Sequence, residues 1–142
     1  MADRTQRATI AKAELAKSAD FNTTAGALKT ELASATTPAQ KAEVQAKLTK
    51  AIRDADTAFI TGARSSSPAE YAALLAETQD KYNAASNAQQ TAQGNLVELN
   101  VRPWKYPASV HQAVADTLAQ AAIDIPRYKA LLDQLNASGG PR

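Results

Sequence analysis

Apolar positions return along this chain at alternating steps of four and three residues. The longest run is Tyr71, Leu75, Thr78, Tyr82, Ala85, Gln89, Ala92, Leu96 and Leu99. This is the heptad spacing of a helix seam that faces partner helices. Ser67-Pro68-Ala69-Glu70 opens it: Ser67 is placed to accept from the first unpaired N–H groups, Pro68 suits the first helical position, and Glu70 can close a capping box. At 1.5 Å per residue the predicted helix, over residues 67–99, is about 45–50 Å long, so the rest of the chain is expected to run beside it. Its second half holds weak helix formers in Asn83, Ser86, Asn87, Gly94 and Asn95. Val97, Leu99 and Val101 alternate with Glu98 and Asn100 as a short strand would. Helix is the preferred reading, because Leu96 and Leu99 extend the seam and no second strand is visible to pair with it.

The same spacing predicts helices on either side. In the first, from about Asp3 to Ala35, Phe21, Ala25, Leu28 and Leu32 form one face. Asn22-Thr23-Thr24 and Gly26 predict a kink or short break near Phe21, and the first residues are expected to fray. Thr37-Pro38-Ala39-Gln40 is a second Pro-initiated capping box. The helix after it shows Val44, Leu48, Ile52, Ala55 and Phe59 on one face and is expected to stop at Gly62, with Ser65-Ser66-Ser67 as a loop. Residues 100–107, with Pro103 and Pro107, read as a connection. The last helix then carries Val110, Val114, Leu118, Ala121, Ile125, Tyr128, Leu132 and Leu135 at near-heptad spacing. Pro126 interrupts it and predicts a kink or a restart capped by Asp124.

These elements predict an all-α fold: an elongated antiparallel bundle of about four long helices with coiled-coil-like packing, in one domain over residues 1–136, followed by a flexible tail over 137–142. Much of the 44% hydrophobic content is alanine, and aromatics are only 5%. Alanine lets helices approach closely but buries little area, so the expected core is modest and self-association or a partner is expected to add to it.

Composition narrows the function classes. The absence of cysteine removes disulfides, thiolate metal sites and cysteine nucleophiles. A net charge of +2 with alternating signs is not the basic excess of a dedicated nucleic-acid binder. Lys47, Lys50 and Arg53, with Arg64 beyond, and Arg4, Arg7, Lys12 and Lys17 form basic stripes. Acidic residues dilute both, and Glu43 with Lys47 and Lys50 with Asp54 are spaced as i,i+4 pairs. A solvated face with ordinary ion pairs is the expectation there, with a weak phosphate or acidic-protein contact as the alternative. No apolar run spans a bilayer and Met1-Ala2-Asp3-Arg4 lacks a signal-peptide core, so the expected location is the cytoplasm or a virion, without a membrane partner.

Catalytic chemistry has little to stand on. His111 is the sole histidine, and the positions one turn away (Pro107, Ala108, Val114, Ala115) offer no metal ligand or catalytic partner. Asp54 and Asp56, two residues apart on a helix, point to different faces and do not make a carboxylate dyad. Glycine-rich phosphate loops are missing. Thr78, Gln89 and Asn83 lie in or beside the central seam, where polar residues either specify register or meet solvent. No catalytic residue, cofactor, metal or small-molecule substrate is therefore expected.

Trp104 stands out as the single tryptophan, set among Arg102, Lys105 and Tyr106 between two prolines. Large aromatics and arginine anchor protein interfaces. The connection reads either as an exposed docking tip or as a plug that folds Trp104 back over the open end of the bundle. The first reading makes Arg102, Trp104, Lys105 and Tyr106 the partner-binding residues. The function expected is that of a non-enzymatic structural or assembly protein, such as a virion component, contacting copies of itself or a larger complex. The alternative is a regulatory adaptor that binds protein or nucleic acid through its basic faces.

Overall fold

A computed structural model describes residues 3–137 of the chain. Four long helices pack antiparallel in pairs, as a helical bundle: α1 (Arg4–Ser34), α2 (Pro38–Ser65), α3 (Pro68–Val101) and α4 (Ala108–Ala137), with one 3₁₀ turn at Pro103–Lys105 between the last two. The chain divides into two compact units, one of residues 1–72 with 135–142 and the other of residues 73–134. Ala137 closes α4, and the rest of the segment expected as a tail lies outside the described residues.

The first unit is built on the α1·α2 hairpin. Three contacts set its register: Ala25 clusters with Leu48 and Ala51, Ser18 Oγ donates to Ala55 O at 2.8 Å, and Ala11 and Leu15 lie against Gly62. Each step of seven down α1 is matched by a step of seven up α2, the signature of a continuous heptad seam. The buried positions of α2 are Val44, Leu48, Ala51, Ala55, Ala58, Ile60, Gly62 and Ala63, small residues for the most part. Ile52 and Phe59, expected on the seam, flank it half-buried.

Three boundaries differ from expectation. Helix α1 runs unbroken past Phe21, because Asn22, Thr23, Thr24 and Gly26 all face outward while Phe21, Ala25, Leu28 and Leu32 hold one face inward. Its start is tied by Asp3, whose carboxylate accepts from Gln6 N at 2.7 Å while Gln6 Oε1 accepts from Asp3 N at 3.3 Å. Gly62 does not end α2. It is buried inside the helix, and a Cβ there would lie 2.8 Å from Leu15 Cγ and 3.2 Å from Ala11 O. Glycine at this point serves close helix approach rather than termination, and Ser66 caps the helix instead. Helix α4 continues through Pro126 with no restart, and Asp124 accepts from Gln120 Nε2 at 2.9 Å instead of capping. An interior proline costs about 3 kcal/mol. Buried Ala121 before it and Leu131, Leu132 and Leu135 after it hold the helix on both sides, at about 1.5–3 kcal/mol for each large side chain.

In α3 the seam is buried or half-buried at every expected position except Leu96, which is exposed at one end. Ser67 Oγ accepts from Glu70 N at 3.2 Å, the hydroxyl half of the expected cap. The stretch 97–101 is helical. Buried Thr78 satisfies itself within the helix by donating to Leu74 O at 2.8 Å; Gln89 is half-buried and Asn83 exposed. Within the first unit, the Tyr71 hydroxyl donates to Leu135 O, supplying a partner for one of the last carbonyls of α4.

Candidate interaction site

The connection between α3 and α4 lies within the second unit. Helix α3 ends at Val101, and the non-helical backbone of Arg102 (φ −131°, ψ 63°) turns the chain into the short Pro103–Lys105 helix. Side chains brace this turn at three points. Arg102 Nη1 donates to both oxygens of Glu98, at 2.8 and 3.2 Å. The Tyr106 hydroxyl donates to Glu98 Oε1 at 3.1 Å. His111 Nε2 lies 3.1 Å from Pro103 O; a carbonyl can only accept, so the proton sits on that nitrogen. The Arg102 hydrogen bond, helped by the Tyr106 hydroxyl and the charges of Arg102 and Lys105 against a desolvation penalty, holds the Glu98 carboxyl below its ordinary range. Arg102 is raised in return, chiefly by the same hydrogen bond.

The two aromatics of the connection part company. Tyr106 packs half-buried against the cluster of Ala92, Leu99 and Val114, with Val110 and Leu118 beside it. Trp104 is 79% exposed. The plug reading of Trp104 is therefore overturned: Tyr106 covers the core, and the 3₁₀ turn carries the indole outward. Lys105 lies with its ammonium 5.7 Å from the Tyr106 ring centre, at the outer range of a cation–π contact. Of the four residues expected to bind a partner, Arg102, Trp104 and Lys105 present exposed surface, while Tyr106 serves the core and the brace. Val97 and Val101, one helical turn apart, add exposed apolar surface at 64% and 59%. Along the sequence both belong to the rival strand pattern, and their i,i+4 spacing off the seam is the sign of an exposed helical face. A groove of about 550 Å³ also opens between α3 and α4, lined by small residues such as Ala88, Thr91, Ala92, Ala113 and Thr117.

Comparison of the chain with protein families, with curated proteins and with solved structures finds no match. Among the described residues, no three histidine or carboxylate side chains gather as a metal ion would require. The paired charges expected on α2 form, Lys47 with Glu43 at 3.4 Å and Lys50 with Asp54 at 3.1 Å, so part of that stripe is neutralised along its own helix. None of the described helices is long and apolar enough to cross a membrane.

Proposed function

We propose that this protein is a non-enzymatic assembly or adaptor module that docks, through the Trp104 turn, to a protein partner or to another copy of itself. The observation that carries this reading is the exposure of Trp104 on a braced turn. A large indole left in water gains by burial against a partner. A turn already held by the Glu98–Arg102–Tyr106 network and by His111 loses little further freedom on docking. Val97 and Val101 widen the apolar contact, and Arg102 and Lys105 supply a charged rim, the anatomy of a small interface centre.

Trp104 is the only tryptophan, so its fluorescence reports this surface alone. In the native complex its emission is expected to shift to shorter wavelength and to resist acrylamide quenching. Trp104→Ala in the full chain is expected to reduce the complex to the free chain in sedimentation while leaving the far-ultraviolet circular dichroism unchanged. A native assembly that keeps its mass in the variant, with the wild-type indole as open to acrylamide as in the free chain, would remove the proposal.

A further inference from the structure

A cavity of about 650 Å³ lies inside the first unit, with Arg4 and Arg7 of α1 on one wall and Ser65, Ser67 and Glu70 among the residues opposite. We infer that it is a binding site for the phosphoryl group of a small soluble phosphate monoester. Arg4 and Arg7 are one helical turn apart and share a face. Arg7 Nη2 donates to Arg64 O at 3.1 Å, which fixes its guanidinium plane and leaves its other N–H groups to bind. Neither Arg4 nor Arg7 forms an ion pair with a carboxylate of the described residues.

Arg64, which precedes Ser65, has its Nε fully buried with no hydrogen-bond partner, the single such side-chain atom among the described residues, but its side chain is not part of the cavity lining. On the other wall Ser67 Oγ accepts from Glu70 N, so its own hydrogen remains to donate. Ser66 is already committed to Ala63 O. The start of α3, a helix of 34 residues, adds the positive end of its dipole.

The donor arrangement selects the ligand class. Two guanidinium groups on one side and serine hydroxyls on the other suit a tetrahedral group with three free oxygens better than a planar carboxylate with two. The volume lies in the range of small-molecule sites and exceeds the needs of a bare ion, which leaves room for the organic part of an ester. Glu70 opposes the charge of the ligand. Two arginines against one carboxylate leave the lining positive, and Glu70 weakens anions that the arginines do not grip in both places.

Inorganic phosphate is the probe for the test, titrated into the full chain by calorimetry against sodium chloride of equal ionic strength. Phosphate is expected to bind and to raise the melting temperature where chloride does not. Arg4→Gln and Arg7→Gln are each expected to weaken binding about tenfold or more, and Glu70→Gln to tighten it about threefold, as removal of a charge-assisted bond and of a like charge predict. Lys29→Gln, which removes an exposed positive charge elsewhere on α1, is the control and is expected to leave binding within about twofold. Should Arg7→Gln fail to fold, Arg4→Gln decides alone, since Arg4 is exposed. The inference is overturned if chloride reproduces the phosphate effect or if Lys29→Gln weakens binding as much as Arg4→Gln. It is equally overturned if binding appears only with vesicles containing phosphatidic acid and never with soluble phosphate.

Discussion

The two helix pairs of this protein use the same heptad spacing to different ends. In the α1·α2 pair the seam of α2 is largely alanine with one glycine, and its register is pinned by a serine reaching across to a backbone carbonyl. Small side chains let the backbones come close, close enough that Gly62 has no room for a methyl group. In the α3·α4 pair the same kind of seam leaves a groove of about 550 Å³ between the helices, and the connection spends its side chains on bracing a turn that exposes its indole. A seam of small residues therefore gives close contact in one pair and open surface in the other. Periodicity decides which residues face a partner; the sizes at each facing position decide how near that partner comes.

The largest expected effect tests the tightness of burial. Leu135 is the largest fully buried side chain among the described residues, at 1% exposure, and Leu135→Ala is expected to cost about 2–5 kcal/mol, in the upper half of that range. Leu99→Ala in the second unit is expected in the lower half, because its cluster partners Ala92 and Val114 line the open groove and let water reach the space left behind. Chemical denaturation of both variants checks the order, and a costlier Leu99→Ala would show that the open groove does not lessen the loss. Next come the glycines. Gly62→Ala is expected to destabilise by about 1–2 kcal/mol, since overpacking against Leu15 and the Ala11 carbonyl outweighs the gain in helix propensity. Gly94→Ala, with nothing within 4 Å of the added methyl, is expected to stabilise by about 1 kcal/mol or less. Two melting curves of opposite displacement would confirm this pair, and equal signs would refute it.

Ser18→Ala gives a smaller change. Its cross-helix hydrogen bond contributes about 1 kcal/mol, and the better helix propensity of alanine returns roughly half of that. Thermal melting should show a loss of no more than a few degrees. The smallest effect is on the connection. Glu98 has a lowered pKa in the folded chain, so its stabilising contribution is present above the unfolded-state carboxylate pKa and is lost as pH falls through the lower, folded value. Acid titration should therefore loosen the Trp104 turn at the low end of the carboxylate range, seen as a change in Trp104 fluorescence. Glu98→Gln is expected to abolish that transition without altering helix content.

Much of the fold was legible along the chain. Every apolar position assigned to α4, from Val110 to Leu135, is buried or half-buried, and both Pro-initiated starts form where Thr37 and Ser67 accept from the residue three positions on. The misreadings share a cause. At Gly62, Pro126 and the polar run at residues 22–24 intrinsic propensity, worth about 1 kcal/mol for glycine and 3 for proline, is outweighed by buried helix faces that contribute more than that. The interaction site was half legible. Composition marks Trp104 as unusual, but nothing in the order of residues says whether Trp104 or Tyr106 turns inward.

By itself, then, the sequence determined that the protein is helical, where its helices begin and which stripe of each is buried, because these follow from spacing and local hydrogen bonds between near neighbours. Only the tertiary structure decided that Gly62 marks a close approach, that Tyr106 covers the core while Trp104 meets solvent, and that Arg4 and Arg7 share a cavity with serines some sixty residues away. These depend on distances between residues far apart in the chain, which no local pattern encodes.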